Sequence, residues 1–235
     1  MAAETQVLIN NEKKYIAKFF SDAAESDVKK VDLSTLTWAK HTITLSGAAS
    51  PNFKIGEVLT VGAEKYLVTG FTAGASTVEV VGWDNTNKKA IAIDASSSSS
   101  DAVSGGVSGV NTRTYSSIAE QDYNVLVTKI MWITNGLQVR IEWDGSDAEK
   151  HIAELAGNGS WSMPGNEWPG IPINATGDSG AVLGDIQFST ADQSGTDSYT
   201  IIMELKKQAP GYDIPAYEQN NILGYPVYYL LGNFT

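Results

Sequence analysis

Apolar residues in this 235-residue chain return at every second position and almost nowhere at every third or fourth. KKYIAKFF (13–20), TITLSG (42–47) and LQVRIEWD (137–144) all alternate in this way, and polar or glycine-bearing turns separate the runs. Alternation of this kind puts successive side chains on opposite faces of a strand, so each run demands a sheet with one face on a core. Only GSDAEKHIAEL (145–155) tempts a helical reading, and over one turn. The expected class is therefore all-β.

The turns divide the chain. Residues 1–37 and 115–207 read as an antiparallel β-sandwich of jelly-roll type, with Tyr15, Ala17 and Phe19 on one face of a strand and Lys14, Ile16 and Lys18 on the other. YNVLVTKIMWIT (123–134) and LQVRIEWD flank Asn135-Gly136, the dipeptide that most strongly signals a two-residue hairpin turn. Val139, Ile141 and Trp143 are expected on the core side of the second strand. Residues 38–114 read as an inserted small β-barrel of about five strands, at a spacing of roughly eight to twelve residues per turn. It closes with ASSSSSDAVSGGVSGVNTRT (95–114), whose composition suggests a flexible linker or surface loop. Residues 208–235 read as an extended C-terminal arm. Half of the ten tyrosines fall there, and Pro210, Pro215 and Pro226 block a helix.

Composition narrows the function classes. A net charge of −11 works against neutralising a phosphate backbone, so no direct nucleic-acid partner is expected. No run approaches the ~20 apolar residues of a membrane helix, and no secretory h-region is visible at the N-terminus. Zero cysteines remove disulfides and thiolate chemistry together.

Gly177-Asp178-Ser179-Gly180 spells the surroundings of a trypsin-like nucleophile. A serine becomes a nucleophile only when a positioned base takes its proton. His41 sits at the start of an alternating run and His151 among charges, neither in such a setting, so the segment reads as a polar turn and no catalytic residue is assigned. Asp144, Ser146, Asp147 and Glu149 crowd together without the register of a calcium loop, and a solvated hairpin end with Asp144-Gly145 at the turn is the reading. Neither metal nor cofactor is expected. Trp161 and Trp168 flank a Gly/Pro-rich loop. They suit either an aromatic anchor holding that loop down or a platform for a sugar ring, with Glu154 and Glu167 the nearest acids.

VKKVDLSTL (28–36), the W…G…V.I.WD pattern from Trp132 to Asp144, GDIQFST (184–190) and SYTIIMELKK (198–207) together resemble small β-sandwich virion structural proteins of tailed bacteriophages, including many that infect marine bacteria and cyanobacteria. The resemblance spans residues 5–37 and 119–207. It implies a non-enzymatic virion component, most simply a capsid decoration (cement) protein, made in the host cytoplasm and carried on the particle. A neck or tail protein, or a carbohydrate-binding adhesin module, are the alternatives. The implied partners are other copies of the chain and the major capsid protein or neck and tail proteins. The arm is the expected partner-binding element, through Tyr212, Tyr217, Tyr225, Tyr228, Tyr229, Leu230, Leu231 and Phe234.

Overall fold

A computed structural model describes residues 3–45, 55–72, 75–92, 102–105, 113–120, 124–145, 150–163, 170–173 and 185–208. The strands are β1 (Glu4–Asn10), β2 (Lys14–Ser21), β3 (Val28–Val31), β4 (Lys40–Leu45), β5 (Val58–Val61), β6 (Glu64–Phe71), β7 (Thr77–Asp84), β8 (Lys89–Ala90), β9 (Ala102–Gly105), β10 (Arg113–Glu120), β11 (Asn124–Trp143), β12 (Lys150–Ser162), β13 (Ile171–Pro172), β14 (Ile186–Ala191) and β15 (Ser198–Gln208). A 3-10 turn at Leu33–Thr35 is capped by Asp32, whose side chain accepts from Ser34 N. The fold is all-β, in two antiparallel sheets.

The first sheet runs β1-β2-β15-β11-β14-β3, with β12 and β13 also paired to β11. Its organising element is β11, 20 residues long where a strand ordinarily has about 5–6. The first part of β11 pairs with β15, from Asn124↔Gln208 to Asn135↔Ser198, and the second with β14, from Gln138↔Ala191 to Trp143↔Ile186. Phe19 lies in register with Ile201 and, across β15, with Trp132, while Phe188 pairs with Ile141. In a flat sheet Trp132 and Ile141 stand about 30 Å apart. The Phe19 and Phe188 rings nevertheless meet edge to face at 5.2 Å. The sheet has folded over on itself, and the two halves of β11 belong to opposite layers of a sandwich.

The fold-over is made at Asn135-Gly136. Instead of the expected hairpin, β11 continues through these residues, and its partner Gly157 of β12 faces four residues, Thr134–Leu137, between the pairs Ile133↔Asn158 and Gln138↔Ala156. Gly136 takes a φ of +79°, and a Cβ there would lie 2.0 Å from Asp197 Oδ1. The left-handed preference of Asn-Gly is thus used for a corner rather than a reversal. Other expectations change as well. Lys150–Leu155, the described part of the tempting helical turn, lies in β12, its residues held in the ladder opposite Val139–Trp143. The Ser/Gly-rich stretch contributes β9, and β10 pairs with β4 and β9 rather than joining the first sheet.

The second sheet curls until it meets itself. β4 pairs on one edge with β10 and on the other with β7, so the series β4-β10-β9-β5-β6-β7 returns to its start, a ring of six strands where about five were expected. Each sheet has its own core. Tyr15, Phe19, Trp143, Phe188 and Tyr199 dominate the first, and Ile43, Leu59, Tyr66, Val68 and Val80 the second. Trp38 packs on Val81 and Ala90 in a third cluster, with its ring 6.5 Å from that of Trp83.

Three buried polar side chains of the first core, Tyr199, Glu25 and Lys30, are paired with one another. Tyr199 Oη donates to Glu25 Oε2 at 2.7 Å, and Lys30 Nζ meets Glu25 Oε1 at 2.6 Å with both side chains buried. Burial and the Glu25 carboxylate raise the Tyr199 pKa far above the ordinary phenol range. Asp185 ties two distant segments together, accepting from Leu33 N at 2.9 Å and Lys29 Nζ at 2.5 Å.

Candidate interaction surface

The two outer faces of the sandwich differ in chemistry. On the layer made by β14 and the second half of β11, Gln138, Arg140 and Glu142 stand beside Ser189, Glu154 and Asp27 around a shallow polar groove. Such a face is well served by water.

The other layer, β1-β2-β15-β11-β12, carries a different row of side chains. Alternation turns Tyr15, Ala17 and Phe19 of β2 inward, and it turns Tyr199, Ile201, Met203 and Leu205 of β15 inward as well. The opposite phase puts Ile16, Phe20 and Ile202 on the outside. On β11, Ile130 is buried while Met131 and Ile133 face out, 40 % and 63 % exposed. Cross-strand register lines these up: Phe20 beside Thr200 beside Ile133, and Lys18 beside Ile202 beside Met131. Asn158 and Ser160 of β12 continue the two rows. Met131, Ile133, Ile202 and Thr200 line a shallow groove of about 610 Å³, and Phe20 and Lys18 line a second of about 270 Å³ on the neighbouring strands. Four lysines, Lys14, Lys18, Lys129 and Lys206, border this apolar stripe against two acids, Glu4 and Glu204. The face is locally basic on a chain whose net charge is −11.

The sequence signal for this surface is KIMWIT. Four consecutive apolar residues, Ile130 to Ile133, break the alternation, and a strand apolar on both faces must show one of them to something other than its own core. Pattern reading assigned the run to a hairpin strand and did not mark Met131 and Ile133.

Trp161 lies on β12 opposite Ile130, half-buried against the main core. Trp132 lies over Gly159, where a Cβ would come within 2.4 Å of its ring, and donates from Nε1 to Ala156 O. Glu154 is exposed on the polar face. His41 is buried in β4 against the backbone of Ser34, and burial lowers its pKa; His151 is exposed on β12. Trp168, Glu167, Ser146, Asp147, Glu149, residues 177–180 and the arm from 209 to 235, with all eight of its expected contact residues, lie outside the described residues.

No family model and no curated protein matches the sequence. Among solved structures, one titled as the complete structure of manganese lipoxygenase of Gaeumannomyces graminis and partial structure of zonadhesin of Komagataella pastoris aligns over 83% of this chain and 78% of that one, at 9% identity and a TM-score of 0.15. A likeness of that degree carries no argument about fold or function.

Proposed function

We propose that the chain is a non-enzymatic structural protein that works through protein–protein contact, as a component of a tailed-phage virion and specifically as a capsid decoration protein. The observation that carries the contact reading is the outward apolar stripe of Met131, Ile133, Ile202 and Phe20, bordered by lysines. A sheet face of this composition gains free energy when another protein covers it, about 25 cal/mol for each Å² of apolar surface removed from water.

The virion reading rests on the sequence resemblance, and the arrangement of its segments supports it. VKKVDLSTL, the Trp132–Asp144 pattern, GDIQFST and SYTIIMELKK are far apart in the chain yet contribute β3, β11, β14 and β15, adjacent strands of one sheet. Asp185 of the third segment holds Lys29 and Leu33 of the first. In this reading the partners are other copies of the chain and the major capsid protein, and neck or tail placement is the alternative. A carbohydrate-binding adhesin module is the further alternative.

Mass spectrometry and cryo-EM of purified particles test this function. Density for the chain at repeated sites on the shell is expected. Density at the neck or tail would replace decoration by the alternative placement, and absence of the chain from purified particles would overturn the virion reading altogether.

A further inference from the structure

We propose that the apolar stripe on the β2-β15-β11 face is the seat for the C-terminal segment, residues 212–234, of a second copy of this chain. The proposal deepens the contact reading above by naming both surfaces, and it does not depend on where in a particle the protein sits.

Chemistry matches the two. The stripe is apolar with a lysine border, four lysines against two glutamates. Residues 209–235 contain Asp213 and Glu218 and no lysine or arginine. Opposite charge on the rims steers the encounter, and the apolar centres supply the free energy. The segment also carries enough apolar area for an interface. The segment carries five tyrosines and Phe234; at about 150–250 Å² per buried aromatic, six rings bring roughly 900–1,500 Å². A stable interface needs about 800 Å² from each partner.

The direction of the chain favours a second copy, because reaching its own stripe would require the segment to reverse and run back along β15. β15 passes the stripe at Thr200 and Ile202 and then runs on to Gln208, opposite Asn124. At ~3.3 Å per residue, β15 carries the chain about 26 Å past Thr200, away from the stripe, by Gln208. Residues 209–235 extend at most about 90 Å, so they reach a neighbour with length to spare. Handing the segment onward in one direction is a heterologous contact, which closes into a ring or repeats along a lattice.

Because the chain has no cysteine, engineered thiols report the contact without background. Ile133→Cys and Tyr228→Cys are placed in separate chains of different mass, mixed and oxidised. The expected product is the mixed disulfide, in at least tenfold excess over either homodimer. Light scattering of the uncrosslinked full chain should give an oligomer. Ile133→Asp, the Lys18→Glu/Lys129→Glu pair and deletion of 209–235 should each weaken it tenfold or more, with melting temperatures near that of the parent. Three results overturn the proposal. They are a double Cys variant that crosslinks only within one chain, a parent that is monomeric at every concentration, and a deletion that lowers the melting temperature while association persists. Any of these leaves the virion reading standing if the chain is still found in particles, so the two fail separately.

Discussion

His41 and Glu120 stand directly opposite each other in the pairing of β4 with β10. The segment that forms the curled sheet therefore leaves and returns at one place. Among the described residues, none between Lys40 and Asn124 belongs to the main core, which passes from Ala39 to Val125. We expect that replacing residues 40–120 by a short Gly-Ser bridge, with Trp38→Ser to remove the indole left without Val81 and Ala90, yields a soluble β protein. Loss of the Trp38 packing should cost about 1–3 kcal/mol, a few degrees of melting temperature. Recovery of aggregate alone, from several bridge lengths, would show that the curled sheet is integral to the core.

The corner at Gly136 makes a second prediction. Its positive φ and the Asp197 carboxylate both exclude a side chain. Gly136→Ala should destabilise by about 1–3 kcal/mol in urea titration. Asp197 also accepts from Ser194 N at 2.8 Å, so Asp197→Ala carries a cost of its own. In the double variant the clash disappears while the backbone strain remains, and the two costs should sum to more than the double variant loses. Strict additivity would argue that Asp197 does not crowd the corner.

The buried Tyr199–Glu25–Lys30 group predicts an order of effects. Tyr199→Phe removes one donor and leaves the ion pair, at about 1–3 kcal/mol. Glu25→Gln strands the buried Lys30 ammonium and should cost more, about 3–5 kcal/mol. Equilibrium unfolding of the two variants, at neutral pH, decides it; the reverse order would mean that Lys30 escapes to water when its partner is lost.

Much of this was legible from alternation, since residues such as Phe19, Ile141 and Trp143 are buried where period two puts them. The pattern fails where local chemistry has two outlets. Asn135-Gly136 suits a hairpin, which needs positive φ at both residues, and also a corner, which here needs it at Gly136 alone, and only the distant strands β14 and β15 decide between them. Ala102–Gly105 has too little side-chain volume to announce a strand, yet its backbone is taken up by β5 and β10. The outward face of KIMWIT was written in the sequence as a broken alternation, but which of its residues are covered depends on the neighbours that β11 acquires.

Lys207 offers the last test. Its side chain is buried at the point where three segments meet, donating to Asn10 Oδ1 at 2.8 Å and to Thr37 O at 2.7 Å, while Asn10 Oδ1 also accepts from Thr37 N. Burial lowers the ammonium pKa to about 7, with Glu12 pulling weakly the other way. In the unfolded chain a lysine titrates near 10.4. Between these values the unfolded state binds more protons than the folded state, so stability rises with pH from about 7 toward 10 and is lost as pH falls through the folded value. Two neighbouring effects bound the window. Tyr15, pushed up to about 12 by burial, contributes stability that is lost as pH climbs above 10, and His41, whose pKa burial lowers, acts only on the acid side. Melting temperatures at pH 7, 8 and 9.5 should therefore climb in the parent. Lys207→Met keeps the apolar stem and removes the titrating group; its profile over the same interval should be flatter, with the largest gain over the parent at pH 7. A parent profile that is level from pH 7 to 9.5 would show that the ammonium stays charged in the folded protein, held by its two oxygen acceptors.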